Sequence, residues 1–194
     1  MEPLFVAGAW RCVELREADA PALQRFYEDN PAYSQMVEGM PPPAGSAQET
    51  FDARPPAGWP YGRKWVLGFA EDDGELMIGM ADLLSDLFTE GVWHVGLFMV
   101  ATPLQGSGVA SALYEGLETW MIGRGAVFGR LGVVIGNTRA ERFWERCGYR
   151  EVRRREGIPM GRRVNDIRVM VKPLAEASIS DYLALVARDR MDGT

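Results

Sequence analysis

The sequence holds only two cysteines, Cys12 and Cys147, and no CxxC pair. That excludes a disulfide framework and a cysteine zinc site, and no metal is expected. No apolar stretch reaches the roughly 20 residues that span a bilayer. The opening MEPLFVAGAWR has an acidic start and lacks the basic flank of a signal peptide. A soluble, cytoplasmic protein without a membrane partner is expected. Internal repeats and long low-complexity runs are also missing. Histidine is nearly so: His94 is the only one.

The 194 residues, 47% of them hydrophobic, can bury a sizeable core without covalent staples. One domain over residues 1–174 is expected, followed by a helical tail over 175–194. The net charge of −6 conceals an asymmetry: residues 1–138 balance to −10 and residues 139–172 to +6. Ligands of opposite sign would suit that split, and so would ordinary solvated surface.

WRCVELR (10–16) alternates as a half-buried strand does. Asp19 and Pro21 open a helix with Leu23, Phe26 and Tyr27 on one side, ended by Asp29-Asn30-Pro31. A second helix is expected over Ala32 to Glu38. The segment 40–63, with Pro41-Pro42-Pro43, Pro55-Pro56 and Pro60, is a long loop with one helical turn near Gln48–Ala53. A loop of that length is more often functional than idle. KWVLGFA (64–70) and ELMIGMADLL (75–84) flank the turn EDDG (71–74), a hairpin signal. VWHVGLFMV (92–100) is too apolar for a strand with one face in water. Then follow a helix over 107–123, strand RLGVVIG (130–136), a helix over 138–147, and strands YREVRR (149–154) and IRVMVKPL (167–174). This order predicts an α/β fold, a central mixed β-sheet with helices on both faces. Ile179, Tyr182, Leu183 and Val186 give the tail a helical apolar stripe to pack on the domain or on a second copy in a homodimer.

Between the third strand and its helix lies Gln105-Gly106-Ser107-Gly108-Val109-Ala110, a glycine bend without lysine or arginine. The first N–H groups of a helix lack internal partners, and its dipole adds partial positive charge there. Glycine lets backbone approach a phosphate closely, so a main-chain cradle needs no lysine. A P-loop is excluded, since no Lys-Ser or Lys-Thr follows. A dinucleotide fingerprint nearly fits, but its acidic residue after the next strand is replaced by Gly136-Asn137.

The bend resembles the [Q/R]xxGx[G/A] pyrophosphate turn of the GCN5-related N-acetyltransferase (GNAT) family. Downstream, Asn137-Thr138-Arg139-Ala140-Glu141-Arg142-Phe143-Trp144-Glu145-Arg146-Cys147-Gly148-Tyr149 resembles that family's NxxAxxFYxxxGF element. The resemblance covers residues 10–174. It implies acetyl-CoA as donor and a primary amine as acceptor, on a small molecule or a protein, joined in one ternary complex by direct attack. It also implies a splayed strand whose main chain at Phe98 and Val100 holds the pantetheine arm. An N–H near Phe98 or Met99, with Met99 the candidate, would serve the oxyanion, worth about 3 kcal/mol of barrier. Gln105, Gly106, Ser107, Gly108, Val109 and Ala110 would hold the diphosphate; Asn137, Arg142 and Trp144 would complete the coenzyme site. Ala140, Phe143, Trp144 and Cys147 also read as a helix's apolar face, and Asn137 as its cap.

His94 lies eleven positions before Gln105, where the histone-acetylating branch of the family carries a glutamate base, so it is the candidate base. Glu49, Asp82 and Glu90 are weaker candidates able to orient a cationic amine. Tyr33, Tyr61 and Asp82 are candidates for acceptor binding, with Phe51 and Trp59 as further loop aromatics. Trp144 stands where many members carry a tyrosine that protonates the departing thiolate; an indole N–H is no useful acid. A catalytically silent CoA-binding module is therefore the alternative reading. The run REVRRREGIPMGRR (150–163) suggests nucleic acid, but overall acidity and the lack of an aromatic-basic stripe favour an edge hairpin kept soluble by arginine.

Overall fold

The computed structural model describes residues 2–71 and 76–191. Of the EDDG turn, only Glu71 lies within them. Strands β1 (Phe5–Ala7) and β2 (Trp10–Glu14) precede three short helices: α1 (Ala20–Asp29), α2 (Ala32–Val37) and α3 (Ser46–Asp52). Next come β3 (Lys64–Glu71), β4 (Met77–Leu84) and β5 (Val92–Val100), then α4 (Val109–Ile122), β6 (Phe128–Val134) and α5 (Thr138–Arg146). A long hairpin, β7 (Arg150–Met160) and β8 (Arg163–Pro173), precedes tail helix α6 (Ile179–Leu185). All eight strands form one sheet in the order β1-β2-β3-β4-β5-β6-β8-β7. Only β5 and β6 pair in parallel; every other neighbour is antiparallel.

The central strands β3 to β6 are largely apolar on both faces because both are covered. On one face α4 and α5 bury Leu113, Tyr114, Leu117, Trp120 and Trp144 against Phe69, Val95, Leu131 and Met170. On the other, α1 and α3 bury Leu23, Phe26, Tyr27 and Ala47 against Val66, Met80 and Met99. The tail occupies the rest of that second face, where Tyr182 and Val186 pack on Val92, Phe128, Val169 and Val171. The tail thus packs on its own domain. The Tyr149 hydroxyl is held 2.7 Å from that of Tyr114, and a Cβ on Gly129 would meet it at 2.3 Å, so only glycine fits there. Among the described residues no helix is long and apolar enough to cross a membrane, and no three metal-ligating side chains gather.

Candidate active site

Strand β5 leaves β6 halfway along its length. The parallel pairing runs from Val92↔Phe128 to Val95↔Leu131 and stops, although β5 continues to Val100 and β6 to Val134. On its other side β5 keeps its ladder with β4, broken by a register shift between Asp82 and Leu83. A bulge there turns the strand and increases its twist. A cavity of about 300 Å³ fills the resulting split, lined by Gly96, Leu97, Phe98, Gly132, Val133 and Val134 of the two strands.

The ladder fixes which main-chain groups face that split. Ala101 N–H donates to the Ile78 carbonyl at 2.8 Å, on the β4 side. Antiparallel strands alternate their hydrogen-bonded pairs, so Met99 also turns its N–H toward β4. Phe98 and Val100 turn theirs the other way, into the split. The Met99 N–H, the expected oxyanion donor, therefore faces β4, and the N–H that faces the split beside it is that of Phe98. Of these groups, the Val100 carbonyl is already engaged, accepting from Gln105 Nε2 at 3.0 Å.

At the end of β5 the chain bends through the glycine turn. Gly106 and Gly108 have φ of +87° and +93°, a left-handed backbone that glycine adopts without strain. Ser107 Oγ donates to the Leu104 carbonyl at 2.6 Å, tying the bend down. Helix α4 starts at Val109, and its first intrahelical bonds are donated by Ser111 and Ala112 to Gly108. Among the described residues, the N–H groups of Gly106, Gly108 and Ala110 have no protein acceptor. That of Val109 reaches only Ser107 Oγ, at 3.5 Å. A Cβ on Gly106 or Gly108 would meet nothing within 4 Å. The bend is an open concavity with unpaired donors, and such a concavity suits an anion such as a diphosphate.

Arg139, rather than Arg142, stands beside this bend: its guanidinium donates to Gln105 Oε1. Arg142 is exposed and makes no ion pair among the described residues. Asn137 caps α5 by accepting from the Ala140 N–H, and it also lines the split. Trp144 is 7% exposed, edge-on to Tyr114 at 5.0 Å, and one side of its ring reaches the cavity. It is a core residue first.

His94 sits on the second face, paired across the sheet with Arg130. Arg130 Nη1 lies 3.2 Å from His94 Nδ1. A guanidinium has only donors, so Nδ1 accepts and the proton resides on Nε2. Burial, then the Arg130 charge, hold the imidazole pKa down at about 3. Both effects weaken the imidazole as a base for an ammonium of pKa about 10. Arg130 is in turn clamped by the tail: Asp189, fully buried, accepts from its Nε at 2.6 Å and Nη2 at 3.1 Å, and from the Tyr182 hydroxyl at 2.6 Å.

Asp82 lies at the bulge, on the same face. Its Oδ2 accepts from Lys64 Nζ at 2.9 Å, while its Oδ1 is buried without a partner. Burial raises its pKa, with Lys64 and Arg54 offsetting part of that rise. A Cβ on Gly96 would stand 3.7 Å from Asp82 Oδ2, which places the carboxylate next to the split. A second cavity of about 220 Å³ joins here, lined by Asp82, Lys64, Arg54, His94 and Gly96. Trp59 lines both cavities and Tyr33 the first. Burial, helped by the Glu38 charge, pushes Tyr33 up to about 12. Tyr61 lies on neither cavity, and Phe51 packs against the α1 core. Sequence reasoning missed the pairing of Arg130 with Asp189, 59 residues away.

A model of the Acetyltransferase (GNAT) family matches residues 23–149. No curated protein matches the sequence. Among solved structures, the ribosomal-protein-S18-alanine N-acetyltransferase from Escherichia coli superposes with a TM-score of 0.63 at 18% identity, covering 87% of this chain and 96% of its own. The spermidine N-acetyltransferase from Vibrio cholerae, in complex with CoA and spermine, gives 0.66 at 16% identity over 91% and 99%. Arabidopsis thaliana NAA60 in complex with acetyl-CoA gives 0.61 at 16% identity over 84% and 98%. At these identities the likenesses establish the fold, and the matched family model carries the assignment over most of the sheet and the glycine bend: the chain belongs to the acetyltransferase (GNAT) family.

Proposed function

We propose that this chain transfers the acetyl group of acetyl-CoA to a primary amine by direct attack within one ternary complex. The observation that carries the reading is the continuity of unpaired main-chain donors from Phe98 in the split to Gly106, Gly108 and Ala110 at the start of α4. Acetyl-CoA, when bound, supplies the activated acetyl thioester. The bend would hold its diphosphate, with Arg139 beside it on Gln105, and the Phe98 N–H in the split would serve the thioester carbonyl. A donor pre-aimed at developing negative charge lowers a barrier by about 3 kcal/mol.

The acceptor enters from the second face, between Tyr33, Trp59, His94 and Asp82. Asp82 takes the place first given to His94: its Oδ1, buried without a partner next to the split, is available to receive, directly or through water, the proton that an amine bound as the free base releases on attack. The cations around the site assist, because they disfavour an ammonium and favour the reactive free amine. His94 stays neutral and offers its Nε2–H as a donor.

The second reading, a CoA-binding module without transfer, rests on Trp144, a buried core indole where an acid would stand. Gly108→Glu tests the coenzyme site by titration calorimetry with CoA. Gly108→Ala serves as control, since any side chain at φ +93° adds about 1–3 kcal/mol of strain. Loss of CoA binding in Gly108→Glu, with Gly108→Ala still binding and both still folded, is the expected result. Undiminished affinity in Gly108→Glu would refute the assignment. Thiol release from acetyl-CoA with an amine panel separates transferase from binder.

A further inference from the structure

The acidic first part of the chain suits a cationic acceptor, but of those acids only Asp82 lines the two cavities among the described residues. The larger cavity is lined by Arg130, Arg155 and His94 and, among the described residues, by no carboxylate. The adjoining one adds Arg54 and Lys64 against the single Asp82. Behind this wall the sheet gathers more positive charge. Arg153 and Arg155 pair across the hairpin with Val169 and Ile167, and Arg130 pairs with Val171, so all three guanidiniums share the face that the tail covers. Arg188 joins them from the tail, over the Trp59 ring at 3.8 Å.

One carboxylate answers these four guanidiniums. Asp189 is fully engaged by Arg130 and Tyr182, and its other oxygen is 3.9 Å from Arg155 Nη2, beyond hydrogen-bond reach. Arg153 donates to the Arg188 carbonyl, and Arg188 Nε is buried without an acceptor. Of the two members that line the cavity, Arg130 is taken up by Asp189 and Arg155 is the more open, its side chain 25% exposed and its guanidinium 5.3 Å from the centre of the Trp59 ring. Burial, then the neighbouring Arg130 and Arg188 charges, destabilise its cationic form. An arriving anion relieves that repulsion. The arginine fork matches a carboxylate with two parallel hydrogen bonds, and His94 Nε2–H supplies another donor on the same wall.

We propose that the acceptor is a small amine bearing a carboxylate, a free amino acid or a close relative, whose carboxylate is received by Arg155 with His94 while its amine faces Asp82. This deepens the transferase reading above and rests on it. The preference excludes polyamines, which bring further positive charge to a wall already in excess.

The test is thiol release from acetyl-CoA with three acceptor sets: the common L-amino acids, their primary amides, and spermidine. The expected result is that at least one amino acid exceeds its own amide in kcat/KM by tenfold or more, with spermidine poorer still. Arg155→Met should abolish that advantage through KM while leaving the melting temperature and CoA affinity near wild type. Arg155→Lys, which keeps the charge and loses the fork, should retain part of it. Amides or spermidine matching the acids, or an acid preference that survives Arg155→Met in a folded protein, would overturn the proposal and leave the transferase reading standing. Release with amides or spermidine but with no amino acid would do the same. No release with any acceptor, while CoA still binds, would sink the transferase reading itself and this proposal with it.

Discussion

Asp189→Asn is the sharpest test of how the tail belongs to the domain. The wild-type carboxylate is 0% exposed and accepts three hydrogen bonds, two of them from a guanidinium that is itself 4% exposed. Asparagine keeps the volume and one acceptor oxygen but removes the charge, leaving Arg130 desolvated without a counter-ion. Removing one partner of a buried ion pair costs about 3–5 kcal/mol. For a domain of this size each kcal/mol lowers Tm by about 2–4 °C, so the fall should be about 6–20 °C. The pH dependence follows from the same pair. Burial raises the Asp189 pKa, but the Arg130 bonds and charge, with the Tyr182 hydroxyl, outweigh it and hold the carboxyl below its ordinary range. A depressed carboxylate contributes stability above its unfolded pKa of about 3.9 and loses it as pH falls toward the folded value. Wild type and variant should therefore differ fully at pH 7 and begin to converge only as pH falls below about 4. Chemical and thermal denaturation at both pH values measure this. The double variant Arg130→Met, Asp189→Leu should recover most of the loss, because an apolar pair leaves no stranded charge. An Asp189→Asn protein within 1 kcal/mol of wild type at pH 7 would refute the reasoning.

Two further outcomes concern the residues beside the split. His94 is neutral when folded, with a pKa of about 3 against about 6.5 unfolded, so stability should be full above pH 6.5 and decline as pH falls toward 3. By pH 5 this amounts to about 2 kcal/mol relative to pH 7, and His94→Gln should lack that component in paired denaturant titrations. The same variant should keep kcat within about tenfold, whereas Asp82→Asn should lower kcat/KM by about 100-fold and flatten the acid limb of the pH–rate profile. Equal losses in the two would restore His94 as base.

The glycine bend and the α5 element were legible because their chemistry is local: glycines at fixed offsets, then an apolar stripe at helical spacing. Strand β5 was read to its observed ends, since a nearly unbroken apolar run, buried at both of its ends, leaves little ambiguity. Strand β1 is three residues long and carries too little pattern to detect. Strand β7 runs six residues past the expected end, because an arginine-rich edge strand shows no alternation. The donor near Phe98 or Met99 depended on ladder parity, which only the pairing with β4 decides. Arg139 and Arg142 differ by three positions on one helix, and their order of approach to the bend is a matter of helix phase. The protonation of His94 was not legible for another reason. Burial sets it first, then Arg130, 36 residues on, with a tail aspartate further still partly opposing them. Electrostatics between such distant positions leaves no local trace in the chain.

The central claim is that main-chain donors at the β5–α4 junction receive the coenzyme. Amide NMR of the uniformly labelled protein, titrated with CoA, reads those donors one by one. The account predicts that the largest shifts fall on Gly106, Gly108, Ala110 and Phe98, with Met99 moving less than Phe98. Saturation that leaves the three bend amides unmoved while resonances elsewhere shift would contradict it.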